Sequence, residues 1–246
     1  DSDGEIRAVM SFSVPDQVVE LKTGVPRSAV VTGTDGFDAA GDGNYTWDGE
    51  TERPSVTLTV TANRTGSGER RASGAGTDAG YTFVDAGEWA IVSVPSAGVW
   101  WSSLRSEPRV TFESVSAVDG AGVAGDRMAV LGPVDQETRT IDGQMITLAV
   151  PEAASLEPDR DAIFDALGEA APGLPASPVD RSLLIAAPTS VDWGPGGLAD
   201  GSDAWVRADR PLDVPGNVWL HEFVHLRQDF RTNSETRWLG EGMAEY

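Results

Sequence analysis

The chain of 246 residues contains no cysteine, a single lysine (Lys22) and only two histidines. It also lacks any apolar run of about eighteen residues, so no transmembrane helix is expected. Without cysteine there is no disulfide framework and no thiolate to bind a metal. Bases are scarce: 18 Lys and Arg stand against 39 Asp and Glu, for a formal net charge of −21. A field of that sign repels phosphate and argues against nucleic-acid binding. The acids are scattered rather than massed in one block, which makes recruitment of a basic partner the weaker explanation of the charge. A lysine-poor acidic surface suits concentrated salt, where screening removes most self-repulsion, so a halophilic source is expected. The chain opens Asp1-Ser2-Asp3 with neither initiator methionine nor signal peptide, as a processed product does. With Asn44-Tyr45-Thr46 and Asn63-Arg64-Thr65, which match the glycosylation acceptor, this points to an extracellular or cell-surface location.

Both histidines fall in Trp219-Leu220-His221-Glu222-Phe223-Val224-His225. At i and i+4 on a helix two imidazoles leave the same face, within reach of one tetrahedral Zn2+ at roughly 2.0–2.1 Å. Glu222, one position round the helix, stays off the metal and is expected to take a proton from the metal-bound water as general base. The bland alternative is a pair of satisfied imidazoles on an amphipathic helix. Asn217, after Pro215-Gly216, reads as an N-cap, and Val218, Leu220, Val224 and Leu226 give the helix an apolar character that buries it. Imidazoles inside such a helix need partners, which favours the metal. A catalytic zinc takes three protein ligands. With no third histidine and no cysteine, the last must be a carboxylate, from Asp229, Glu235, Glu241 or Glu245. A reversal through Thr232-Asn233-Ser234 returns a second helix alongside the first and brings Glu241 to the metal, with Asp229 the competitor on the first helix. Glu245, four residues after Glu241, either accepts the other ring N–H of a ligating histidine or is a solvated charge.

The first half reads as short strands over residues 6–14, 18–21, 28–31, 55–62, 81–84, 89–94 and 109–115, separated by Gly, Asp and Ser clusters. That spacing suggests an antiparallel sandwich, with Trp100-Trp101 expected in its core rather than forming a carbohydrate platform. Residues 127–132 look like its last strand and 133–137 like a junction. A strand over 144–150, a helix over 158–171 with Ile163, Phe164 and Leu167 inward, a strand over 181–187, a glycine loop over 194–198 and a strand over 203–207 then precede the histidine helix. The expected organisation is an all-β antiparallel domain at 1–134 followed by an α/β (α+β) catalytic domain at 135–246.

HEFVH followed by WLGEGMAEY resembles the gluzincin metallopeptidases, namely the aminopeptidase N and glycyl aminopeptidase families and, more distantly, thermolysin. The resemblance implies a zincin catalytic domain acting on peptide or protein substrates. It carries zinc ligation onto His221, His225 and Glu241, and the base role onto Glu222. The gap before Glu241 is a few residues shorter than in aminopeptidase N relatives, which a shorter interhelical loop absorbs. The glycine loop and the strand after it are similar to the family's substrate-binding loop and edge strand, on which an extended peptide pairs through main-chain hydrogen bonds. This implies Gly196, Gly197, Leu198, Ala204 and Trp205 at the substrate. Aminopeptidases of these families place a glutamate in that loop to hold the free amino group, whereas Ala199 stands here, a departure that leans toward an endopeptidase. The helical region that follows in the family, with its donor to the oxyanion, does not follow Glu241 here, so a truncated catalytic domain is expected, with Tyr246 the nearest candidate donor. The alternative from another class is a non-catalytic cell-surface or binding module with a structural metal site. Glu222 favours the enzyme, since a structural site has no need of a base beside the metal.

Overall fold

A computed structural model describes residues 4–65, 80–104, 109–228, 241–242 and 244. Strand dominates and helices are few. In chain order the strands are β1 (Glu5–Ser11), β2 (Val18–Gly24), β3 (Ala29–Asp35), β4 (Phe37–Gly41), β5 (Asn44–Trp47), β6 (Ser55–Thr61), β7 (Arg64–Thr65), β8 (Tyr81–Asp85) and β9 (Ala90–Ser93). They continue with β10 (Gly98–Ser103), β11 (Gly122–Ala124), β12 (Met128–Leu131), β13 (Val134–Ile141) and β14 (Gln144–Pro151). Helix α1 (Arg160–Ala170) precedes β15 (Arg181–Ala187), β16 (Gly197–Asp200) and β17 (Asp203–Arg207), and α2 (Val218–Arg227) follows them. The chain divides into two compact units, Asp1–Ala62 with Pro95–Val115, and Asn63–Val94 with Ser116–Tyr246.

The first unit is an antiparallel sandwich of a three-stranded sheet, β1-β6-β3, and a four-stranded sheet, β10-β2-β5-β4. Alternation drives it: Val56 and Leu58 of β6 turn inward to meet Val18 and Leu21 of β2 and Phe37 of β4. β4 and β5, absent from the sequence reading, are joined by Asp42-Gly43, both at positive φ (52° and 75°), the two-residue hairpin turn that Asp-Gly favours. Residues 109–115 form no strand. Trp100 and Trp101 lie on the edge strand β10 and are 57% and 39% exposed, so the expectation that they fill the core is overturned. Trp101 stacks instead on Phe112, with ring centroids 6.1 Å apart.

The second unit has three layers. A mixed sheet, β13-β14-β15-β17-β16, is parallel at β14–β15 and β15–β17 and antiparallel at its two outer pairs. One face carries Ile146, Leu148, Leu184, Ala186, Ala204 and Val206 against Ile163, Phe164 and Leu167 of α1 and Trp219, Phe223 and Leu226 of α2. The other carries Leu183, Ile185 and Trp205 against Phe83, Ile91, Met128 and Val130 of the antiparallel sheet β11-β12-β9-β8-β7. Strands covered on both faces read as continuous apolar runs, as Ser182 to Ala187 does. The division falls at 62/63, 94/95 and 115/116 rather than at residue 134, because β8, β9 and β12 bury their apolar side under the mixed sheet. Residues 133–137 are no junction either, since β13 begins at Val134 and pairs with β14 through a second Asp-Gly turn, Asp142-Gly143, at φ 47° and 85°.

Asp203 ties the layers together. It is 1% exposed, and its Oδ2 accepts the backbone N–H groups of Arg127 and Met128 at 2.6 and 2.9 Å. Oδ1 accepts the N–H of Leu183 and the hydroxyl of Ser202, both at 3.2 Å. Burial pushes its pKa up while these bonds pull it down. The substitution Asp203→Ala would leave three backbone N–H groups without an acceptor, and a loss of about 2–5 kcal/mol is expected. Denaturant unfolding measures it, and an unchanged midpoint would remove Asp203 from this role.

Candidate metal centre

α2 starts where its capping residue sets it. Asn217 Oδ1 accepts the backbone N–H groups of Trp219 and Leu220 at 2.9 and 3.3 Å, and its Nδ2 donates to the Leu212 carbonyl at 2.7 Å. The indole of Trp219 donates to the carbonyl of Arg210 at 2.8 Å. At the far end the wholly buried Arg227 donates to the Asp142 carboxylate at 2.5 Å and to the Pro175 carbonyl at 2.9 Å. Its guanidinium also lies over the ring of Phe223, 5.4 Å from the centroid. With both ends held and its apolar side on β16 and β17, the helix cannot rotate about its axis, and this fixes the direction of its histidines.

The Nε2 atoms of His221 and His225 are 3.2 Å apart. Oε2 of Glu241 stands 3.5 Å from the first and 3.8 Å from the second. Glu241, Gly242 and Ala244 are helical. Ligand atoms bound to one tetrahedral zinc at 2.0–2.1 Å lie about 3.4 Å from one another, so the observed triangle has the edge lengths that such an ion requires. Among the described residues these three are the group of His, Cys, Asp and Glu side chains able to hold a metal. The donor set, two imidazoles and a carboxylate, suits Zn2+.

One supporting residue escaped the sequence reading. His225 Nδ1 lies 3.0 Å from Gln228 Oε1; an Nδ1–H donating there leaves Nε2 as the atom with the free lone pair, the tautomer a ligand needs. The signal was positional: Gln228 follows His225 by three residues, on the same helical face.

Glu222 points the other way, into the sheet edge. It is 5% exposed, and a Cβ on Gly197 would come within 2.5 Å of its Oε1. Burial, and after it the charge of Glu241, push its pKa up to about 8, while a backbone hydrogen bond from Ala199 pulls down.

The loop residues of the sequence reading separate into two groups. Gly197 and Leu198 lie on β16, the edge of the mixed sheet, and Gly196 just before it accepts the N–H of Arg207 at 3.0 Å. Ala204 and Trp205 do not reach a surface. β17 runs between β15 and β16, both side chains are fully buried, and Trp205 packs on Trp193 at 4.6 Å, so their assignment to the substrate is corrected to the core. Asp229, Glu235, Glu245 and Tyr246 lie outside the described residues.

No protein-family model matches the sequence, and comparison with curated proteins gives no match. Solved structures do show a common fold. An aminopeptidase N family protein from Idiomarina loihiensis superposes with a TM-score of 0.50 at 11% identity, over 98% of this chain and 51% of that one. An M1 zinc metallopeptidase mutant from Deinococcus radiodurans, bound to a Tyr-Ser-Ala substrate, gives 0.53 at 11% identity over 99% and 65%. Another structure of an M1 zinc metallopeptidase from Deinococcus radiodurans gives 0.50 at 10% identity over 98% and 64%. The chain thus spans about half to two thirds of the length of these structures, and at such identity the likeness is one of fold.

The raised pKa of Glu222 has a sign that can be measured. Ionised Glu222 is disfavoured in the folded state, so the stability present below pH 4.5 is lost as pH rises toward about 8. In chelator-treated protein, Glu222→Gln is expected to be more stable than the parent at pH 8 by a few kcal/mol, and the gap should close toward pH 5. Thermal melts of both proteins across that range test this, and a pH-independent gap contradicts it.

Proposed function

We propose that the chain carries the zinc centre of a metal-dependent peptidase, with His221, His225 and Glu241 as the ligands and Glu222 as the proton acceptor. The observation that carries the reading is the convergence of two imidazoles and a carboxylate at tetrahedral spacing, with a second, buried carboxylate beside the sheet edge. The shared fold with zinc metallopeptidases supports it. Zinc, when bound, would supply Lewis acidity toward water and a substrate carbonyl. Glu222 offers a carboxylate with raised proton affinity, fixed against Gly197 and the backbone of Ala199, from which a proton taken from water can pass to the departing amine. The outer edge of β16 offers backbone groups for an extended peptide to pair with, and Gly197 is where that strand meets Glu222.

Cleavage at the amino terminus has the better support, because one of the structures similar in fold is an aminopeptidase N family protein. The lean toward an endopeptidase rested on Ala199 alone and draws nothing from the fold. Amino-acid anilides are expected to be hydrolysed faster than blocked internal peptides, and the reverse order would restore the endopeptidase reading.

Glu222→Gln is expected to keep about one zinc per chain and to lower kcat by at least a hundredfold, the usual scale for a lost general base. His221→Ala is expected to lose the metal as well. Zinc by elemental analysis alongside peptide hydrolysis checks both. Undiminished function in Glu222→Gln would instead favour a binding module with a structural metal.

A further inference from the structure

Arg210 closes the turn after β17, and its guanidinium lies against the bare α-carbon of Gly196. A Cβ built on that glycine would be 3.3 Å from Nε and from one terminal nitrogen, and 3.4 Å from Cγ2 of Val218 on α2. Gly197, the next residue, makes the corresponding approach to Glu222. The cation therefore stands one residue along the edge strand from the carboxylate that serves as base.

Among the described residues no carboxylate forms an ion pair with it. Nε is buried and has no hydrogen-bond partner among the described residues. The adjacent acid, Asp209, has both oxygens held by Arg207, at 3.0 and 2.6 Å. Partly burying a guanidinium without a partner is unfavourable, and a planar fork of donors matches a carboxylate in two parallel bonds.

Direction along the strand identifies which part of a substrate would supply that carboxylate. A peptide pairing antiparallel to the free edge of β16, as β17 does on the other edge, runs toward its own C-terminus at the Gly196 end. With Glu222 at Gly197, the Gly196 end receives the leaving portion. We propose that Arg210 binds a carboxylate just beyond the scissile bond, so that the enzyme favours peptides whose leaving residue is acidic or bears the free C-terminus. This rests on the peptidase reading above.

The test uses zinc-loaded protein and three peptides identical except on the leaving side. The first has Gln after the cleaved bond and a C-terminal amide, the second has Glu there with the same amide, and the third has Gln with a free terminal carboxylate. At least one carboxylate peptide is expected to exceed the neutral one by about tenfold or more in kcat/KM. Which of the two does so tells side chain from chain terminus. Arg210→Met is expected to bring both ratios near one, and Arg210→Lys to retain part of the preference. Ratios near one in the parent, or preserved in Arg210→Met, overturn the proposal. Should none of the peptides be cleaved, the peptidase reading fails first. The same peptides are then titrated into zinc-loaded Glu222→Gln protein by calorimetry, where a tenfold tighter binding of a carboxylate peptide, lost in the double variant with Arg210→Met, upholds this assignment. Equal or undetectable binding overturns it.

Discussion

The carboxylate of Glu222 reaches β16 at Gly197 because the strand presents a bare α-carbon there, where a methyl group would stand 2.5 Å from Oε1. Two consequences follow from that one contact. The helix can lie close on the sheet edge, with its histidines turned toward Glu241 and its acid turned toward the strand. The acid also loses its water, and desolvation is the largest cause of its raised proton affinity. The hydrogen bond from Ala199 returns part of the lost solvation and pulls the proton affinity back down.

Such a helix tolerates little freedom, and the surrounding bonds remove it. Asn217 and Trp219 fix its start, while Arg227, buried between Asp142 and Pro175, fixes its end. A buried guanidinium contributes little net stability after desolvation, and one of its terminal nitrogens has no partner among the described residues. What it adds is orientation, since its bonds tie α2 to the β13–β14 turn and to the segment after α1. The same unit separates stability from chemistry by position in the sheet. The interior strands β14, β15 and β17 are covered on both faces, whereas β16 lies at the edge of the sheet and brings Gly197 beside Glu222 of α2.

Local signals were legible in the sequence and long-range ones were not. The i, i+4 histidines, the Asn217 cap, the inward Ile163, Phe164 and Leu167 of α1, and the bounds of β15 and β17 each depend on a few neighbouring residues, and the structure has them all. The two Asp-Gly hairpins were equally local, yet β4 and β13 went unread because they carry charged and small residues with little apolar alternation, and β5 because it is only four residues long. The partition at residue 134 went astray for another reason. β8, β9 and β12 look like sandwich strands, and nothing local says that their covering layer comes from residues 149–205. Ala204 and Trp205 were misplaced likewise, because a strand beside a substrate loop lies at the edge or one strand inside it according to a pairing order that sequence does not carry.

The electrostatics of the centre also bear on whether burial of Glu222 is compatible with its proposed role as a base. Glu241 raises its proton affinity through like-charge repulsion, the second cause after desolvation. Positive charge placed within the triangle of His221, His225 and Glu241 offsets the charge of Glu241 and acts on Glu222 in the opposite sense, so metal uptake and proton loss from Glu222 are linked. The two influences would oppose one another: the dry strand contact raises the proton affinity of the carboxylate, and a cation held by the triangle would lower it. The demand on the fold is therefore for one helix with a polar face toward a metal and an acid toward a glycine strand, which is the arrangement that the held ends of α2 maintain.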